Sequence, residues 1–348
     1  MSGNAVSRPR RPTMIDVARH AGVSLKTVSR VVNQEPSVAP ELVERVLHSV
    51  SELGFRRNDI AATLRSPVVS RTIGLLIEEI GNPFYSIVAD VTAEVARDHD
   101  TLLITASSEE NPDLERQLLR DLCSRRVDGL LVVPAGDDHS FLRADVEMGI
   151  PVVFLDRPAS GLTADTVLLD NRGGSRAAVQ SLVDAGHRRV AVLLDSNDIY
   201  TMRERLAGAR EALAKGQILV RDGVRDPASA AQATGELLDQ PDPPTAFFTL
   251  NNRLTVGALH ELWRRGSDAA LVGFDDFELS HLMPRPLTVV GYDLREYART
   301  AAELLFERIH GGQTPPRTVV LPTQLLERGL GPAAAPHGAE PARASLAP

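Results

Sequence analysis

Apolar residues recur at helical spacing through residues 13–33, TMIDVARHAGVSLKTVSRVVN, and the pattern breaks once, at Gly22-Val23. At about 100° per residue, Val17, Ala18 and Ala21 share one face of a first predicted helix. Thr13, followed three residues later by Asp16, makes a capping-box-like start. Ser24 is placed to cap a second helix. There Val28, Val31 and Val32 gather on one side, while Lys26, Ser29, Arg30 and Asn33 gather on the other, flanked by Leu25 and Thr27. QEPSVAP reads as a loop, and Pro40 opens a third helix, ELVERVLHSVSELG, whose Val43, Val46, Leu47, Val50 and Leu53 are expected in a core. Gly54 is a natural stop.

From Arg71 the texture changes. RTIGLLI, TLLITAS, VDGLLVV, IPVVFLD, RRVAVLL, TAFFTL and AALVGFD are short apolar runs, separated mostly by amphipathic helical patterns. Strands alternating with helices imply a parallel, doubly wound sheet. Two such halves fall at roughly 71–168 and 169–290, with a weak mutual repeat. No GxGxxG or GxxxxGK[ST] follows any strand, so the glycines that cradle phosphates in dinucleotide and P-loop sites are absent. In folds of this plan ligands lie beyond the carboxyl ends of the strands. Polar residues at such ends are Asn82-Pro83-Phe84-Tyr85, Asp156-Arg157, Asp170-Asn171, Asn252 and Asp275, with Arg205 on a helical stretch. A carboxylate there also serves as a helix cap. Asp156 and Asp170 fit either role, Asp275 fits a structural one better, and Arg205 fits a ligand better than a surface ion pair.

Between these regions, residues 55–70 form a link in which Asn58 to Arg65 have room for about two helical turns, marginal alone in water. The basic start, with Arg8, Arg10 and Arg11, and the Pro/Ala-rich end after Gly331 have no apolar period and are expected to be disordered.

A chain of 348 residues exceeds what one core should fill. Its one cysteine, Cys123, sits in a helical pattern and reads as structural filler in a reducing compartment. No export segment or apolar run of about 18 residues is present, so a cytoplasmic protein without membrane insertion is expected. The histidines are scattered, His187 reading as structural. No HExxH or CxxC occurs, and neither a metal site, a cofactor nor a catalytic nucleophile–base pair emerges. The net charge of −8 divides unevenly: residues 1–70 carry +4 and the remainder −12. A basic head on an acidic body confines attraction for nucleic acid to one end.

The helix–glycine turn–helix spacing, with its outward row of Lys, Ser, Arg and Asn, suits a helix-turn-helix seated in the major groove. TMIDVARHAGVSLKTVSRVVN closely resembles the DNA-binding start of the lactose/galactose/purine repressor (LacI/GalR) family, and the resemblance extends over about 13–330. It implies an all-α helix-turn-helix head and an α/β, two-lobed, periplasmic-binding-protein-like effector domain built on two doubly wound parallel sheets. The boundaries are a tail at 1–12, a head at 13–57, a hinge at 58–70 and an effector domain at 71–330. Its N-lobe takes 71–168 plus 291–322 and its C-lobe 169–290 plus 323–330, followed by a tail at 331–348. Thr13, Ser24, Leu25, Lys26, Thr27, Ser29, Arg30 and Asn33 would meet operator DNA. Asn58, Ala61, Leu64 and Arg65 belong to the hinge helix, with Leu64 as a minor-groove wedge; Arg57 departs from the proline common before the Asn. Phe84, Tyr85, Asp156, Asp170, Arg205, Arg225, Asn252 and Asp275 would line or bind the effector.

The resemblance further implies a homodimer on a pseudo-palindromic double-stranded operator, controlled by a sugar, sugar acid or sugar phosphate. Asn252 stands where the family often has Asp, and Arg225 where an aromatic ring commonly stacks. Both changes make the cleft more positive and point to an acidic effector; a neutral sugar, with Arg225 facing solvent, fits as well. An α/β enzyme and a solute-binding receptor remain as alternatives.

Overall fold

The computed structural model describes residues 12–32, 38–55, 70–158, 160–283 and 287–329. The expectations for Asn33, for Asn58, Ala61, Leu64 and Arg65 of the hinge, for residues 1–11 and for the tail at 331–348 lie outside these residues. The chain divides into two compact units, residues 1–70 and 71–348.

The first unit holds α1 (Met14–Ala21), α2 (Leu25–Val32) and α3 (Pro40–Leu53). The expected capping box forms: the Thr13 hydroxyl accepts the Asp16 amide at 3.4 Å, and the Asp16 carboxylate accepts the Thr13 amide at 2.8 Å. Gly22 ends α1 at φ 62°, a conformation open to glycine without strain, and the Val23 amide returns to the Ala18 carbonyl. Val17, Ala18, Ala21, Val28, Val31 and Val46 form the core. Leu47 departs from expectation: it is 52% exposed. One residue past Val46, it is turned about 100° from the buried line of Val43, Val46 and Val50.

The second unit consists of two lobes. One sheet contains β1 (Thr72–Ile77), β2 (Leu102–Ser107), β3 (Gly129–Val132), β4 (Val152–Leu155), β5 (Asp165–Leu169) and β11 (Thr318–Leu321). The other contains β6 (Arg189–Leu193), β7 (Gln217–Arg221), β8 (Ala246–Thr249), β9 (Ala270–Phe274), β10 (Thr288–Gly291) and β12 (Gln324–Leu326). The strand orders are β2-β1-β3-β4-β5-β11 and β7-β6-β8-β9-β10-β12, so the same winding is used twice. All pairings are parallel except β10 with β12. The central strands are buried on both faces and are therefore apolar throughout rather than alternating.

In the first lobe, α4 (Pro83–Asp98) and α11 (Leu294–Ile309) cover one sheet face, and α5 (Pro112–Ser124) the other; the five-residue α6 (Arg143–Glu147) lies before β4. In the second lobe α7 (Asn171–Asp184) and α8 (Tyr200–Ala212) cover one face, and α9 (Pro227–Leu238) and α10 (Asn252–Arg265) the other. Several of these helices start from Asn or Asp caps followed by proline, as at Asn82-Pro83 and Asn111-Pro112. The chain passes between lobes three times: from β5 into α7, from β10 into α11, and from β11 into β12. The strands that the apolar runs did not announce, β7, β11 and β12, lie at or beside sheet edges and are only half-buried. Among the described residues no helix is long and apolar enough to cross a membrane.

Candidate functional site

In the first unit α2 is seated by Val28 and Val31 and presents its remaining residues outward. Ser24 accepts the Thr27 amide at 3.1 Å, so the cap forms, and the two hydroxyls lie 2.8 Å apart. Leu25 is 45% exposed and Lys26 is exposed, while Thr27, Ser29 and Arg30 are half-buried along the same outer surface. Arg45 of α3 reaches the Gly22 carbonyl, and His20 Nδ1 lies 3.1 Å from the buried Ser49 hydroxyl; these contacts tie α1 and the turn to α3. A short helix held rigidly on an apolar seat, with a cationic and hydroxyl-bearing outer side, can enter a major groove.

In the second unit, the carboxyl ends of the strands face a cleft between the lobes. Its outer chamber is about 1150 Å³ and is contiguous with an inner one of about 50 Å³ through shared wall residues, among them Glu78, Arg157, Asp195 and Arg253. Phe84, Tyr85, Asp156, Arg205, Arg225 and Asp275 all line the inner chamber. Asn252 lines a third, more apolar compartment of about 650 Å³, which shares Phe84 and Asp275 with the inner one. Asp170 is not in any of these walls. Its carboxylate accepts the Gly173 amide at 2.8 Å and caps α7, the structural member of its two readings.

Arg205 is the hub. It is 4% exposed, donates through Nε to Asn171 at 2.8 Å and through Nη1 to the Leu250 carbonyl at 2.6 Å and Asp275 at 3.2 Å, and stacks over the Phe274 ring at 3.7 Å. Asp275 also accepts the Tyr292 hydroxyl at 2.7 Å. Asp156 and Asp275 follow β4 and β9, equivalent strands of the two lobes, and both adopt left-handed backbone at φ 67° and 68°. Non-glycine residues held there cost energy and cluster at binding sites. Burial raises the Asp156 carboxyl above its ordinary range, with Arg157 and Arg205 opposing the shift.

The sequence reading passed over the outer charges. Arg157 is buried and grips Glu110 bidentately, while also reaching the Pro134 carbonyl at 2.6 Å and Glu78 at 3.4 Å. Glu78, which accepts the Tyr85 hydroxyl at 2.9 Å, is pushed up to about 8 by burial and by repulsion from Glu110. Arg253 of α10 pairs with Glu79 across the mouth of the cleft. Arg225 is 76% exposed and lies 3.5 Å from Asp195, so the positive charge it brings is matched on the spot. Only spatial proximity links these partners; Arg253 and Glu79 are 174 residues apart.

Residues 13–58 match the model of bacterial regulatory proteins of the lacI family, and residues 179–329 match that of a periplasmic binding protein-like domain. The ribose operon repressor of Haemophilus influenzae is 31% identical over 330 residues, which span 91% of this chain and 98% of that one. The chain belongs to the LacI family. Another LacI-family relative, the transcriptional regulator CelR of Thermobifida fusca, is 34% identical over 345 residues, covering 94% of this chain and all of that protein. The crystal structure of the Lac repressor dimer bound to operator and the anti-inducer ONPF aligns with a TM-score of 0.77 at 26% identity, over 92% of this chain and 98% of that one. These are regulators, so the enzyme and transport-receptor alternatives fall away, and this LacI-family chain is a DNA-binding transcriptional regulator with an effector domain.

Proposed function

We propose that this protein represses transcription by binding a pseudo-palindromic operator as a homodimer, with operator affinity set by a sugar or sugar derivative held between the lobes. The head reads DNA through α2, with Lys26, Ser29 and Arg30 toward bases and phosphates and Thr13 and Ser24 at the helix starts. One short helix gives limited affinity, and a two-fold pair of heads on two half-sites supplies the rest. In the body, Phe84 and Tyr85 offer ring faces, and Arg205, Asp156 and Asp275 offer donors and acceptors. The observation that carries the reading is the convergence of these five side chains on one inner chamber at the strand ends. The relatives' names, a ribose operon repressor and an operator-bound Lac repressor dimer, support the sugar and the dimer. The effector acts by its differential affinity for two lobe arrangements. The protein works where its operator lies, inside the cell.

Selection of bound duplexes from random DNA, followed by mobility-shift assays with and without sugars, tests this. Arg30→Ala is expected to cost about 1–3 kcal/mol of operator binding and to relax one base preference while leaving the sugar response intact. Arg205→Lys is expected to do the reverse. No duplex preferred over random competitor at moderate salt would refute the reading.

A further inference from the structure

We infer that the cleft selects an uncharged saccharide of more than one ring and rejects phosphorylated or acidic sugars; this rests on the effector reading above and specifies its chemistry. The first ground is room. The inner chamber, about 50 Å³, holds a few water molecules and no sugar ring, so the bulk of a ligand lies in the outer chamber. That chamber, about 1150 Å³, exceeds the roughly 300–1,000 Å³ of pockets that enclose drug-sized molecules. It is long enough for linked rings, and Tyr200 and Ile199 on its wall give C–H faces something apolar to lie on.

The second ground is charge. Eight carboxylates line the outer chamber against four guanidinium groups. Three of those four already face a carboxylate: Arg157 holds Glu110, Arg253 holds Glu79, and Arg225 faces Asp195. The fourth, Arg203, donates to the Asp198 carbonyl. Arg205, in the inner chamber, is held by Asp275. An incoming anion therefore displaces a carboxylate from its arginine and meets the remaining ones at close range, a repulsive element of the kind that gives specificity. Hydroxyl groups meet no such penalty, since each both donates to a carboxylate and accepts from a guanidinium.

The third ground is what the wall leaves unmet. Two buried side-chain atoms without hydrogen-bond partners are Arg157 Nε, a donor, and Asn252 Oδ1, an acceptor. Hydroxyls satisfy both; a phosphate or carboxylate, an acceptor only, cannot satisfy Asn252.

The experiment has two arms on the full-length protein. Calorimetry compares glucose and xylose with cellobiose, cellotriose, maltotriose and xylotriose, and with glucose 6-phosphate, fructose 1-phosphate and glucuronate. At least one uncharged oligosaccharide is expected to bind ten-fold or more tighter than its parent monosaccharide and than every charged sugar. Thermal shift at constant ionic strength then titrates inorganic phosphate against wild type, Glu79→Gln and Asp195→Asn. Wild type is expected to give no saturable shift, whereas each variant, with Arg253 or Arg225 released, gains one. Saturable phosphate stabilisation of wild type, a charged sugar binding as tightly as the best uncharged one, or a monosaccharide matching its oligomers overturns the inference. Mobility shifts run alongside keep the two readings apart. A charged or single-ring sugar that alters operator binding sinks the inference and leaves the regulator standing. Operator binding that responds to no member of the panel counts against the effector reading itself.

Discussion

At the scale of single residues, the cleft is set by side chains whose roles depend on what stands opposite. Phe84, Tyr85, Asp156, Arg205 and Asp275 were legible because each falls at a strand end or a characteristic helical position. Asp170 has the same local signature as Asp156, and only the Gly173 amide distinguishes cap from wall. Arg225 was legible as a gain of positive charge, but Asp195 opposite it was not, because the pairing is made by the fold. Arg205 is better tested by lysine than by alanine. Truncation leaves Asp275 buried without its partner, which costs about 3–5 kcal/mol and confounds ligand binding with folding. Cys123 is buried, and burial with repulsion from Asp145 pushes its thiol up to about 12. It is therefore expected to resist iodoacetamide at pH 8 in the folded protein and to react fully in urea, as mass spectrometry would record. Rapid labelling of the native chain would contradict its placement.

Elements were legible in proportion to their periodicity. The helices of the head follow their apolar spacing, and the buried parallel strands announce themselves as unbroken apolar runs. Where burial is one-sided the signal fades. Leu47 matched the spacing of α3 and still faces outward, and the edge strand β7 carries no run strong enough to distinguish it from a loop. The start of α1 offers a direct test of element-scale reasoning. Thr13→Ala removes the side-chain acceptor of the capping box and is expected to cost the head about 0.5–2 kcal/mol. Hydrogen exchange should show α1 amides losing protection while those of β1 and β6 keep theirs. Unchanged α1 protection would mean that Val17 and Ala18 packing alone fixes the helix.

For the whole molecule, the two-fold use of one winding was visible as two α/β halves, while the pairing of Glu79 with Arg253 was not, since no local pattern encodes a contact between lobes. The cleft also sets a dependence on pH. Glu78 keeps its proton in the folded chain up to about 8, whereas the unfolded chain loses it in the ordinary carboxylate range. Between those limits the folded state binds the extra proton, so this group's contribution to stability falls as pH rises and levels off above 8. Glu78→Gln is expected to flatten the decline in urea midpoint between pH 5.5 and 8.5; an equal decline in both proteins would show that Glu78 does not titrate there. The three passages of chain between lobes carry a last consequence. Neither lobe is a contiguous stretch of gene, so a break at residue 170 yields no half able to fold alone, and recombination inside the body scrambles both lobes together. Residues 1–70, by contrast, form a unit that a single crossover can exchange, which lets new operator preferences be grafted onto an unchanged sensor.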